Sequence, residues 1–137
     1  MSMLSVLRRE TLRYQGPAVF WAVVIFLSSS LPSSAIPDIG IFRYDKAIHA
    51  TIFFVFTLFL HRALTHTRSH PLLVRHARVL AWLIALGYGA LDEMHQLFVP
   101  GRSSDPADFA ADALGASLCI LVVWWRERRR IGPTPPA

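Results

Sequence analysis

Cysteine and lysine are almost missing from this chain: each occurs once among 137 residues, as Cys119 and Lys46. A single cysteine excludes an intramolecular disulfide and any Cys-based metal motif, and inside the apolar run around it Cys119 reads as a small hydrophobe. Charge is also scarce. Charged residues make up 17% of the chain against 53% hydrophobic, and the mean hydropathy is +0.40. That balance is too apolar for a soluble domain of this length and indicates one integral membrane domain. No G-x-S-x-G, no H-E-x-x-H and no phosphate-cradling glycine loop is present, so serine-nucleophile, zinc-protease and nucleotide chemistries lack their motifs.

Four long apolar stretches are present instead, at 17–31, 47–60, 79–91 and 109–125. A membrane span needs about 20 residues at about 1.5 Å each. The third stretch has thirteen apolar residues, about 20 Å of helix, and crosses only if the helix continues through Asp92 to about Phe98. The fourth carries Asp108 and Asp112 in its first turns. The expected fold is all-α: a bundle of four transmembrane helices in a single domain, 1–131, with spans near 17–32, 45–61, 78–98 and 107–125. The Pro-rich end, 132–137, reads as a disordered tail. The first stretch has a second reading, since Arg8, Arg9 and Arg13 before it and Ser33-Ser34-Ala35 after it follow signal-peptide grammar. The charge pattern suits an even number of spans and favours a retained helix.

The net charge is +5, but the placing of the arginines argues for a membrane rather than a nucleic acid. Eleven of the thirteen fall before the first stretch (Arg8, Arg9, Arg13), between the second and third (Arg62, Arg68, Arg75, Arg78) and after the fourth (Arg126, Arg128, Arg129, Arg130). Cytoplasmic loops carry such an excess. Both termini are therefore expected on the cytoplasmic side of the membrane. The His- and Arg-rich segment 61–78, with His66 and His70 four apart, reads as a positive-inside loop touching anionic lipid rather than as a metal site.

This topology sorts the polar residues. Asp45, Lys46 and His49 fall at the outer end of the second helix. Asp92, Glu93, His95 and Gln96 end the third, with Tyr88 one turn below Asp92, and Asp105, Asp108 and Asp112 begin the fourth. Six of the nine acids meet at one membrane depth, together with Arg43, Lys46 and Arg102. Ionisable groups inside a membrane are expensive and mark function by default. Asp92, Glu93 and His95 are the candidate acid–base groups. Arg43, Asp45, Lys46, His49, Gln96, Arg102, Asp105, Asp108 and Asp112 are candidates for substrate binding, the cations for an anionic head group. His49, His95 and Asp92 are ligand types for a metal, although their spacing follows no metal motif. Asp105 or Asp108 suits a helix N-cap. Ser28, Ser29 and Ser30 suit hydrogen bonds to their own helix backbone. Ala107, Ala111 and Gly115, like Gly87 and Gly89, would let a neighbouring helix come close. The alternative to a binding or catalytic pocket is a structural ion-pair network that orients the helices.

Taken in order, Asp45-Lys46-x-x-His49, Asp92-Glu93-x-His95-Gln96, Phe98-x-Pro100-Gly101-Arg102, and then Asp105, Asp108, Asp112 and Gly115 resemble the VanZ-like membrane proteins. The resemblance covers about residues 20–125. One departure is Asp112, where many members carry Asn. The resemblance implies a small integral membrane protein of the bacterial cell envelope, linked by the family's name to teicoplanin-type glycopeptide resistance. The expected function is an outward-facing polar pocket that binds or acts on a lipid-linked or cell-wall precursor. Whether it catalyses is left open, the partners are the bilayer and an anionic lipid or precursor, and neither cofactor nor oligomeric state is indicated.

Overall fold

The computed structural model describes residues 10–35, 45–67 and 70–130. Arg8, Arg9, Arg43, Arg68 and the tail at 132–137 lie outside the described residues, and so do the expectations attached to them. The regular structure among the described residues is helical: α1 (Gly16–Ser29), α2 (Asp45–Thr65), the short α3 (Pro71–Arg75), α4 (Ala77–Gln96) and α5 (Pro106–Arg130), with a 3-10 turn at Ser33–Ala35. Residues 10–14 are helical ahead of α1.

The helix ends follow ordinary chemistry. Proline stands in the first turn of α1 and α3 and opens α5, where its missing N–H costs nothing. Asp45 and Asp108 sit in the first turns of α2 and α5, and Arg62 and Arg128–Arg130 in their last turns, each charge opposing the helix dipole. Relative to the spans expected from sequence, α2 continues to Thr65 and α5 to Arg130, and α3 forms inside the expected loop 61–78.

The most extensive packing is between α2 and α5; α4 lies against both, and α1 leans more lightly on α2 and α4. Small residues make this closeness feasible. On α4, Ala77, Ala81, Ala85 and Gly89 form a buried row at every fourth position. On α5, Ala111, Gly115 and Cys119 do the same, with Ala116 buried beside them. A Cβ at Gly115 would overlap the carbonyl oxygen of Ala50 on α2, so the two backbones touch there. At Gly89 a Cβ would lie 3.2 Å from the Phe53 ring and 3.3 Å from Asp112 Oδ2, whereas at Gly87 it would meet nothing within 4 Å. Of these two glycines, only Gly89 serves close packing.

Ile25, Phe53, Phe56, Ala85 and Ala116 form the apolar centre, with Tyr88 edge-on to Phe56 at 5.1 Å. Polarity is otherwise inverted. Asp92, Glu93, Gln96, Asp108 and Asp112 are buried, while Phe20, Leu27, Leu83, Leu91, Leu118 and Leu121 face outward. A water-soluble protein buries the second set and exposes the first, so this arrangement fits a lipid surround. Two of the described helices, α2 and α5, are long and apolar enough to cross a membrane. α1 is apolar but has 14 residues, about 21 Å of helix. α4 has 20 residues but carries acids at its end.

Candidate functional site

The polar cluster has two adjoining halves. The first is the α2–α5 seam. His49 Nδ1 lies 3.0 Å from Asp112 Oδ1, and Asp112 is 2% exposed. The His49 Nε2 faces Asp45 and Asp108, 3.9 Å from an oxygen of each. Lys46 donates to Asp105 at 2.7 Å and to Asp108, and reaches Asp45 at 3.4 Å. One ammonium thus ties the start of α2 to the start of α5. Asp105 is also the cap of α5, accepting the Ala107 N–H at 2.8 Å. The Lys46 ammonium, and after it the Ala107 N–H, holds the Asp105 carboxyl below its ordinary value.

The second half joins the ends of α1 and α4 to the loop that follows. Asp92 accepts the Ser29 hydroxyl at 2.6 Å and the Gln96 amide at 3.3 Å. His95 Nε2 pairs with Ser30 Oγ at 3.0 Å, and its ring lies 4.9 Å from that of Phe26. Glu93 points elsewhere, accepting Ser104 Oγ at 3.1 Å and the Asp105 N–H at 2.8 Å. The three candidate acid–base groups therefore do not converge. Consecutive residues of a helix are about 100° apart around its axis, and each of the three serves a different neighbour.

Arg102 is aimed by the loop. Its N–H closes a turn onto the Val99 carbonyl at 3.1 Å, with Pro100 and Gly101 between them. Gly101 has φ +73°, the left-handed value a type II turn requires at this position, and a Cβ there would collide with Ser33 Oγ. The Arg102 side chain lines a cavity of about 170 Å³ together with Ser28, Asp45, His49, Asp92 and Gln96. Ile25, Ile48 and Phe53 form its apolar wall. Among the described residues Arg102 forms no ion pair, and its Nε is fully buried without a hydrogen-bond partner.

Residues 16–127 match the family model described as VanZ/LLP1. The chain belongs to the VanZ/LLP1 family. The match takes in both halves of the cluster and reaches all four long helices, and it agrees with the resemblance carried by the sequence motifs. No curated protein and no solved structure matches the chain.

Of the substrate-binding candidates, four line the cavity of this VanZ/LLP1 chain: Asp45, His49, Gln96 and Arg102, joined by the acid–base candidate Asp92. Lys46, Asp105, Asp108 and Asp112 stand behind it in the seam, and Arg43 lies outside the described residues. For a metal, Asp45, His49 and Asp108 place one ligand atom each within 4.8 Å of one another, the one such trio among the described residues. Lys46 already contacts both of those carboxylates. His95 and Asp92 stand apart from that trio, each bonded to an α1 serine or the residue after it.

Three partners were not legible in the sequence. Ser28 bonds its own helix, as expected, at the Val24 and Ile25 carbonyls. Ser29 and Ser30 do so as well, but each also reaches α4. Ser104 braces Glu93. The available signal was weak: three consecutive hydroxyls at the end of an apolar run, at the depth of the acids.

Proposed function

We propose that this VanZ/LLP1 protein crosses the bacterial cytoplasmic membrane with four helices, both termini inside, as one domain over 1–131. Its outward-facing cavity binds the anionic head group of a lipid-linked or cell-wall precursor. The observation that carries this reading is the state of Arg102. Every buried acid of the cluster has a hydrogen-bond or ion-pair partner, and the neighbouring Lys46 is held by carboxylates. Arg102 lines the cavity with a permanent charge and, among the described residues, no counter-ion. A guanidinium kept in that condition suits a phosphate or carboxylate, which it binds through two parallel hydrogen bonds.

Size supports a head group rather than a whole antibiotic. The cavity of about 170 Å³ falls below the roughly 300–1,000 Å³ of pockets that engulf a drug-sized ligand. The rest of an amphipathic ligand stays in the bilayer, against the exposed apolar faces of the helices. Asp92 is the cavity's candidate acid–base group, and Ser29 and Gln96 fix its orientation. The trait through which the family is named, teicoplanin-type resistance, would follow from altered handling of such a precursor at the outer face.

The α2–α5 half of the cluster favours a second role beside the first, because its charges satisfy one another: Lys46 with three aspartates, His49 with Asp112. That half is a structural ion-pair network that fixes two helices in register.

Native mass spectrometry of the detergent-purified protein tests the binding reading. Wild type carries a lipid-sized adduct, and Arg102→Ala loses it while melting at the wild-type temperature. If Arg102→Ala keeps the adduct, or wild type carries none with native lipid extract supplied, the binding reading is wrong. If Arg102→Ala loses melting temperature and teicoplanin phenotype together, Arg102 belongs to the structural network.

A further inference from the structure

The end of the α2–α5 pair opposite the site holds a second opening that the proposed activity does not use. It is a crevice of about 380 Å³ between the last turns of the two helices, with Leu58 and Val123 at its base and Arg62, His66, Arg126 and Arg130 around its mouth. Along α5, Glu127 lies nineteen residues from Asp108, about 28 Å at the helical rise. The two openings are therefore separate.

The crevice's one acid is already engaged. Glu127 Oε1 lies 3.6 Å from His61 Nε2 and Glu127 Oε2 lies 3.3 Å from Arg78 Nη1. Arg62, Arg126 and Arg130 make no ion pair with a described acid. The four arginines that end α5 are not equivalent. Arg128 lies over the Trp124 ring at 4.3 Å and Arg129 over Trp125 at 3.9 Å, both outside the crevice. Arg126 and Arg130, four apart and hence on one face, line it. On the α2 side, His66 is stacked on Tyr14 at 3.8 Å, and Arg62 sits 5.3 Å from the same ring. Tyr14, from the helical residues ahead of α1, thus steadies two of the basic groups from behind.

An apolar floor under a ring of uncompensated cations complements an anionic head group carrying acyl chains. We infer that this crevice is a binding site for an anionic phospholipid of the cytoplasmic leaflet, its phosphate held by Arg62, Arg126 and Arg130 and an acyl chain laid on Leu58 and Val123. The leaflet rests on the four-span topology proposed above; the site itself does not. Basic pockets between membrane helices hold such lipids elsewhere.

The test is native mass spectrometry of the full chain from mixed micelles of equal phosphatidylglycerol and phosphatidylcholine. Wild type retains phosphatidylglycerol in preference. Arg126→Gln with Arg130→Gln lowers its retention roughly 30-fold, which is about 2 kcal/mol, or about 1 kcal/mol for each arginine at a charged surface. Arg128→Gln with Arg129→Gln removes the same charge from the other face and leaves retention at the wild-type level. Excess inorganic phosphate fails to strip the lipid, because the chain contact remains. Equal retention of both lipids, equal loss in both double variants, or complete displacement by phosphate each overturns the proposal. In a Cys119→Ser background, labelling of Ala137→Cys from outside the cell would refute the topology and leave the lipid result standing.

Discussion

The Ser29 hydroxyl donates to the Asp92 carboxylate over 2.6 Å, joining the end of α1 to the end of α4 across 63 residues of chain. Both groups are buried. The only other donor on that carboxylate among the described residues is the Gln96 amide at 3.3 Å. Ser29→Ala should therefore destabilise the protein by about 1–3 kcal/mol, the usual cost of leaving a buried acceptor under-satisfied. Thermal unfolding in detergent measures it, with Ser28→Ala as the control, since Ser28 bonds only its own helix. An unchanged melting temperature for Ser29→Ala would remove the α1–α4 link from the account.

Gly115 and Gly87 make opposite predictions for the same substitution. Gly115→Ala drives a methyl group into the Ala50 carbonyl and should cost about 1–3 kcal/mol as overpacking. Gly87→Ala meets nothing within 4 Å and should be neutral or stabilising by up to about 1 kcal/mol, from helix propensity. Both are read from the same melting curves, and equal effects would contradict the packing described.

Gly101→Ala tests the aim of Arg102. The left-handed backbone at 101 disfavours any side chain by roughly 1–2 kcal/mol, and the added carbon meets Ser33. The turn has to move, and Arg102 moves with it. The bound lipid adduct should fall in Gly101→Ala as far as in Arg102→Ala, although the arginine is still present. Full retention of the adduct would show that Arg102 finds its ligand without the turn.

The Lys46–Asp105 link has a pH signature. Because the Asp105 carboxyl lies below its ordinary value in the folded protein, its contribution is complete above the unfolded value of about 3.9. It fades only as pH falls through the lower folded value. The melting difference between wild type and Asp105→Asn should thus be flat across about pH 5–8 and close only in stronger acid. A difference that vanishes near neutrality would assign the effect to another group.

Much of the fold is legible in the amino-acid sequence alone. The apolar runs locate four helices to within a few residues, because length and hydropathy decide where a chain lies in lipid. Asp45, His49, Asp92, Asp108 and Asp112 meet at one end of the helices, as the alternating helix directions expected from the arginine placing require. Depth does not fix partners. Asp92 and Glu93 are neighbours in sequence, yet one faces α1 and the other a loop; which neighbour each meets depends on how the helices are rotated against one another. That Arg102 lacks a counter-ion is equally hidden, because a sequence records charges and not which of them are matched. The α5 tail shows the same limit: Arg126, Arg128, Arg129 and Arg130 read as one basic run and divide into two faces only when the helix is seen against α2.

The bare backbone contact at Gly115 also decides how firmly the α2 wall of the cavity is held from behind. Where α2 and α5 meet carbonyl to glycine, there is no side chain to rotate aside, so parting them means breaking the seam outright. The opposite wall is α1, fourteen residues leaning on its neighbours through two serines, a Trp21 indole bonded to the Ile52 carbonyl and the Tyr88 hydroxyl bonded to the Ala22 carbonyl. A ligand of the kind proposed above would therefore meet a fixed wall at α2, backed by α5, and a more lightly held one at α1.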